Sequence, residues 1–169
     1  MSRLPSTGQA PPLTGEEIES MLKENHYARI CTHNKDGTIH AIPVAYRYIN
    51  GQILIMSLDK SRKNRNIERN NDVTVLVDEV NTLRGIQILG TAEIDYDNIY
   101  EQAPTVLETA RPVLGVPKEK LERIAKAYVD TFKLVILRIT PKHIESFDYS
   151  KYELWNDWGK TLSSIIDEK

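Results

Sequence analysis

Two short apolar runs, residues 52–57 (Q-I-L-I-M-S) and 73–77 (V-T-V-L-V), constrain this chain more than any other feature. Each has the length and β-branched content of a buried strand. The segment between them is polar, and long enough for about two to three helical turns. Five of the ten residues 60–69 are cationic (Lys60, Arg62, Lys63, Arg65, Arg69), against one acid, Glu68. The whole chain carries a formal net charge of −2, so this positive charge is concentrated rather than general. Ser61 stands directly after the strand and its turn, where a helix N-cap belongs. A helix start offers free N–H groups and the positive end of the macrodipole. With Arg62 and Lys63 in the first turn, this junction is a seat for a phosphate. The alternative is a solvated basic helix face. Cations in a first turn oppose the dipole, which makes stability alone a poor reason for them.

The rest of the chain supplies more strands around this pair. Thr14-Gly15-Glu16-Glu17 is a capping box opening a helix over 15–25, with Ile18, Met21 and Leu22 as its apolar stripe. Strands are predicted over 27–32, 38–48, 52–57, 73–77 and 84–95, with Asn34–Gly37 and Ile49–Gly51 as hairpin turns. Pro43 cannot donate to a ladder, so it marks an edge, a bulge, or backbone facing something other than a strand. Gly85 and Gly90 suggest a close backbone approach or a bulge. Strands in this number, joined mostly by short turns, make an antiparallel meander most economically closed as a barrel. In the second half, 97–114 reads as a helix with Ile99, Tyr100, Ala103, Val106, Leu107 and Ala110 on one face, bounded or interrupted by Pro104 and Pro112. A second helix starts at Pro117, with Leu121, Ile124, Ala125 and Tyr128 inward. A strand over 133–140 is broken by Pro141, and 143–149 forms a last one. One domain, 14–150, is expected, with a helical insert at about 97–130. It is preceded by a flexible arm or strap (1–13) and followed by a tail (151–169) bearing Trp155 and Trp158 that packs on the barrel or a partner.

Several functions are disfavoured. A sequence pI near 6.1 argues against a nucleic-acid binder. No apolar run approaches the ~20 residues that cross a membrane. The lone Cys31 allows no internal disulfide and fits a reducing cytoplasm; its apolar surroundings make it a small packed residue rather than a nucleophile. His26, His33, His40 and His143 lack metal-ligand spacing, although His33 and His40 flank one turn and could meet across it. No catalytic residue can be named: there is no G-x-S-x-G, Walker loop or G-x-G-x-x-G. Any reaction is therefore expected to be cofactor chemistry.

The order of elements, with N-K-D-G, A-I-P-V-A-Y, I-N-G, I-L-I-M-S, D-K-S-R-K-N-R-N-I-E-R-N-N-D-V and R-G-I-Q-I-L-G-T-A-E-I, resembles the pyridoxamine 5′-phosphate oxidase-like flavin-binding split-barrel family. The resemblance is close over 14–95 and looser over 133–149. It implies a mainly β fold with flanking helices, a six-stranded antiparallel split β-barrel. It also implies a homodimer with FMN at the subunit interface and a small-molecule substrate, hence an FMN-dependent oxidoreductase. Ser61, Arg62 and Lys63 match the family's phosphate-holding S-R-K. Met56 and Ser57 match the pair along the phosphate and ribityl chain. Ile42, Pro43, Val44 and Ala45 match the strand whose edge faces the flavin ring. Arg84 and Gly85 match positions reaching the flavin from the partner, and Phe147 an aromatic cover. The family's Arg-x-His substrate motif is absent from Y-S-K-Y-E-L-W-N-D-W, which speaks against vitamin B6 oxidation. A deazaflavin coenzyme-dependent reductase, or a flavin or haem carrier without turnover, is the alternative, and the insert and tail would choose the substrate.

Overall fold

The Thr14 hydroxyl accepts the Glu17 N–H at 3.2 Å, and the Glu17 carboxylate accepts the Thr14 N–H at 2.7 Å. The expected capping box therefore opens the first helix, α1 (Gly15–Glu24). The computed structural model describes residues 10–79, 81–151 and 165. After α1 come β1 (Tyr27–His33), β2 (Ile39–Ala45), β3 (Arg47–Ile49), β4 (Gln52–Leu58), α2 (Arg62–Arg69), β5 (Asp72–Glu79) and β6 (Arg84–Asp95). Two helices, α3 (Ile99–Leu114) and α4 (Leu121–Phe132), then lead to β7 (Leu134–Asp148).

All seven strands form one antiparallel sheet in the order β2-β1-β5-β6-β7-β4-β3. Its two end strands, β2 and β3, are separated by a single residue, Tyr46. The chain thus leaves one edge of the sheet and joins the other, and the sheet closes on itself as a split barrel. The strand predicted over 38–48 is two strands, so the count is seven rather than six. Tyr46 is the corner. It is fully buried; its N–H donates to the His26 carbonyl at 3.0 Å and its hydroxyl to the Leu22 carbonyl at 3.0 Å. Its own carbonyl accepts the Thr109 hydroxyl at 3.1 Å. With these groups spent on α1, α3 and the start of β1, Tyr46 has left the ladder.

The apolar side chains form two layers. Ile30, Ile53, Ile55, Val75, Ile86, Ile88, Leu137 and Ile139 fill the barrel, beside Met21 and Leu22 of α1. Leu54, Leu134 and Ile136 face the other way, against Ala103, Val106 and Leu107 of α3 and Leu121, Ala125 and Val129 of α4. β4 is covered on both faces, which explains its unbroken apolar run. At the β3–β4 hairpin, Asn50 and Gly51 both take positive φ (51° and 78°), the geometry of a type I′ turn.

Three expectations about elements need correction. α3 runs through both Pro104 and Pro112. Burial of Ile99, Val106 and Leu107, about 1.5–3 kcal/mol each, offsets the ~3 kcal/mol that an interior proline costs. Tyr100 and Tyr128, assigned to apolar faces, are exposed, and the Tyr100 hydroxyl instead ties α3 to Asp130 of α4 at 2.6 Å. Pro141 does not break β7. Beside it the β6–β7 register slips, from Leu89 opposite His143 to Gly90 opposite Pro141, and β4 has already left the other side. A bulge beyond the shared ladder asks no N–H of proline.

Residues 10–13 run beside the end of β7, where Asp148 N–H donates to the Pro11 carbonyl at 2.8 Å and Leu13 N–H to Ser146 Oγ at 3.0 Å. The rest of the arm and the tail carrying Trp155 and Trp158 lie outside the described residues. No helix among the described residues is long and apolar enough to cross a membrane.

Candidate functional site

The β4–α2 junction is held by polar side chains. Ser61 caps α2 by accepting the Asn64 N–H at 3.4 Å. Ser57, at the end of β4, donates to Asn64 Oδ1 at 2.7 Å and lies 3.2 Å from the Ser61 hydroxyl. Asn64 Nδ2 then donates to the carbonyls of Leu58 and Asp59, at 3.0 and 3.1 Å. One fully buried amide thereby satisfies the turn between strand and helix, and removing it would leave carbonyls unpaired at about 1–3 kcal/mol.

Helical phase divides the cations of α2. Lys63, Asn64, Asn66 and Ile67 are buried, while Arg62, Arg65 and Arg69 point out on the opposite face. Lys63 is 9 % exposed, and its ammonium reaches Ser61 Oγ at 3.5 Å. Burial pushes its pKa below the usual lysine range. Among the described residues no carboxylate pairs with it. A buried cation beside a helix start, whose one hydrogen-bond partner among the described residues is the Ser61 hydroxyl, is arranged for an anion that comes from outside the chain.

Lys63 and Ser57 form the polar end of a cavity of about 460 Å³. Ile42, Pro43, Val44 and Ala45 line one side. Four consecutive residues of one strand touch the cavity, so it is met by the edge of β2, not by one face. β2 pairs only with β1, and Pro43 stands on the free edge. Met56 of β4 and Leu107, Leu114, Tyr128 and Phe132 of the two helices complete a largely apolar wall. The volume lies within the ~300–1,000 Å³ usual for small-molecule sites. A flat apolar body with an anionic tail fits both ends of it.

The structure thus brings together Ile42, Pro43, Val44, Ala45, Met56, Ser57 and Lys63. Ser61 lines a shallower hollow next to it, with Phe132 and Lys133. Arg62 lines a separate cleft against the β1–β2 hairpin. Arg84 and Gly85 are not at this cavity. The Glu79 carboxylate, 2.6 Å from Arg84 Nε, is held down at about 2 chiefly by that hydrogen bond. Gly85 faces the Phe147 ring, whose Cζ would lie 2.5 Å from an added Cβ. Phe147 therefore packs on β6 and Tyr149 rather than over the cavity. His33 pairs with Ile39 and His40 with Thr32, so the two imidazoles emerge on opposite faces of the hairpin and do not meet across it. Cys31 is half-buried, and burial pushes its thiol up. Sequence reasoning missed Asn64, Tyr128 and Phe132. Asn64 had a signal, its position three residues after the Ser61 cap.

A family model described as pyridoxamine 5′-phosphate oxidase matches residues 14–147. Comparison with curated proteins gives no match. Among solved structures, a conserved hypothetical protein, Rv2991, from Mycobacterium tuberculosis is 23% identical, covering 88% of this chain and 92% of that one, with a TM-score of 0.70. An F420 reductase is 21% identical, covering 75% and 94%, with a TM-score of 0.56. A FAD-binding protein from Mesorhizobium loti is 21% identical, covering 81% and 94%, with a TM-score of 0.58. At these identities the likeness is one of fold.

Proposed function

We propose a flavin-dependent redox reaction for this chain, which belongs to the pyridoxamine 5′-phosphate oxidase family. FMN is the cofactor proposed, and a small molecule the substrate. The observation that carries the reading is Lys63, a buried ammonium without a carboxylate partner among the described residues, at the polar end of an apolar cavity. Lys63, the Ser61 and Ser57 hydroxyls and the α2 N-terminus would hold the phosphate. The free edge of β2 around Pro43 would face the ring, where a proline costs no ladder bond. Val106, Leu107 and Leu134 add apolar surface to the cavity lining, on which a flavin ring would pack. When bound, the flavin itself supplies hydride or electron exchange, and the protein supplies position and electrostatics.

A second copy of the chain is part of the proposal. Leu58, Leu114 and Phe132 line the cavity yet remain exposed, at 51, 53 and 48 %. A homodimer would cover them, and would bring Arg84 and Gly85 of the second copy to the cavity that their own chain keeps them from. A cytoplasmic setting is proposed with it.

The test is an absorption spectrum of the purified protein, with the mass of whatever heat releases. A flavin spectrum and the mass of FMN are expected, and Lys63→Ala should lose the colour while keeping the circular dichroism spectrum of the folded chain, its melting point falling only by what the bound cofactor contributed. A colourless protein that refuses added FMN overturns the reading. The alternative ligand is a deazaflavin coenzyme. It is favoured by the likeness to a structure named an F420 reductase, and its different mass identifies it.

A further inference from the structure

We propose, on the strength of the flavin reading, that the cavity takes an uncharged, flat, conjugated substrate, selected by the α3–α4 insert. Among the described residues that line the cavity, Lys63 alone is charged. A cofactor phosphate held there would neutralise it. The Ser57 hydroxyl at the same end already donates to Asn64 at 2.7 Å. The lining left for a second molecule is apolar, with Ala110 and Leu114 from α3, Tyr128 and Phe132 from α4, and Met56 from β4. A substrate carboxylate, phosphate or ammonium would lose its water in such surroundings and find no countercharge.

The proposed second copy leaves this balance as it is. Arg84, which it would bring, arrives already paired, with its Nε 2.6 Å from the Glu79 carboxylate. Lys60 and Lys133 belong to the neighbouring hollow, and both are exposed, so salt screens them. The preference for a flat molecule comes from α4. Tyr128 and Phe132 stand one helical turn apart, their ring centroids 4.7 Å from each other and their planes tilted by 58°. Both rings line the cavity and are still 39 and 48 % exposed. Rings held in this way gain most from another ring, through offset or edge-to-face packing. The barrel half of the cavity would thus hold the cofactor, and the insert would choose what meets it.

The test is titration of the oxidised, FMN-loaded protein, at physiological salt, with two probes. One is naphthol; the other is a naphthol bearing a sulfonate on each ring, so that turning the ring over cannot keep both charges outside. Binding is read from the change each makes in the flavin absorption band, without turnover. Naphthol should bind at least about tenfold tighter than the disulfonate, the least that an unpaired buried charge costs. Tyr128→Arg should tighten the disulfonate about tenfold by supplying a charged partner. Tyr128→Gln, which removes the ring and adds no charge, should not, and both variants should weaken naphthol. The proposal is overturned if the wild type binds the disulfonate as tightly as naphthol, or if neither probe perturbs the flavin band. Equal naphthol affinity in Tyr128→Gln and wild type overturns the role of the insert. FMN retention is measured first and separates the two readings. A chain that refuses FMN overturns both, whereas one that holds FMN and prefers the disulfonate overturns only the substrate class.

Discussion

A buried ammonium without a carboxylate partner destabilises the chain that holds it. Burial lowers the Lys63 pKa. Between the folded and unfolded values the unfolded chain binds more protons, so stability rises with pH across that window and levels off above ~10.4, the unfolded lysine value. Lys63→Met removes the charge and keeps most of the packed stem. Without cofactor it should melt about 2–4 °C higher than wild type at neutral pH, the shift produced by ~1 kcal/mol in a chain of this size. The gap should narrow toward pH ~10, as the wild-type lysine loses its proton. Melting curves of the two cofactor-free proteins at both pH values check this, and a lower Tm for Lys63→Met at neutral pH would contradict it. The site was partly legible at this scale. Ser61 announced itself as a cap by residue type and position. The split between Lys63 and Arg62 was also written there, since Ile67 is the one apolar residue of α2 and Lys63 lies one turn before it on the same face. Counting cations along the segment hid that phase.

Among the elements, β6 and β7 show how a strand is bent without being ended. A Cβ at Gly90 would stand 2.5 Å from the Thr140 carbonyl oxygen and 3.3 Å from Pro141 Cα, both backbone. A Cβ at Gly85 would meet instead the tip of the Phe147 ring. Backbone in a paired strand cannot step aside, whereas a partly exposed ring can. Gly90→Ala should therefore cost about 2–3 kcal/mol, the upper part of the range for overpacking, and Gly85→Ala clearly less. Adding Phe147→Leu should recover part of the Gly85→Ala loss and none of the Gly90→Ala loss. Urea unfolding of the four variants measures this, and equal costs at the two glycines would refute the distinction. The glycines were readable because a strand interior gives glycine few other reasons to occur. Pro141 and Tyr46 misled for a shared reason. Whether a proline ends a strand depends on whether a neighbour needs its N–H, and whether a tyrosine continues one depends on acceptors far off in sequence. Neither is a local property, whereas the apolar runs that gave β1, β4, β5 and β6 are.

For the whole molecule, the positions of Arg84 and Lys63 pose a geometric problem that the proposed second chain would resolve. Lys63 lines the cavity, and Arg84 sits with Glu79 at the β5–β6 hairpin, away from it. If both serve one flavin, they come from different copies across a two-fold interface, where each site borrows from the other chain. Mixing then becomes diagnostic. Lys63→Ala and Arg84→Ala homodimers should each retain FMN poorly. Unfolded together at equal amounts and refolded, about half the dimers are mixed. Each mixed dimer has one site carrying both substitutions and one site carrying neither. About a quarter of wild-type FMN binding should therefore return, measured as bound flavin per chain after gel filtration. If Arg84 instead acts within its own chain, every site in the mixture carries one substitution and no binding returns. The same column tests the dimer itself, since a 19.3 kDa chain that elutes as a monomer while holding FMN would leave the exposed apolar rim of the cavity without its proposed cover.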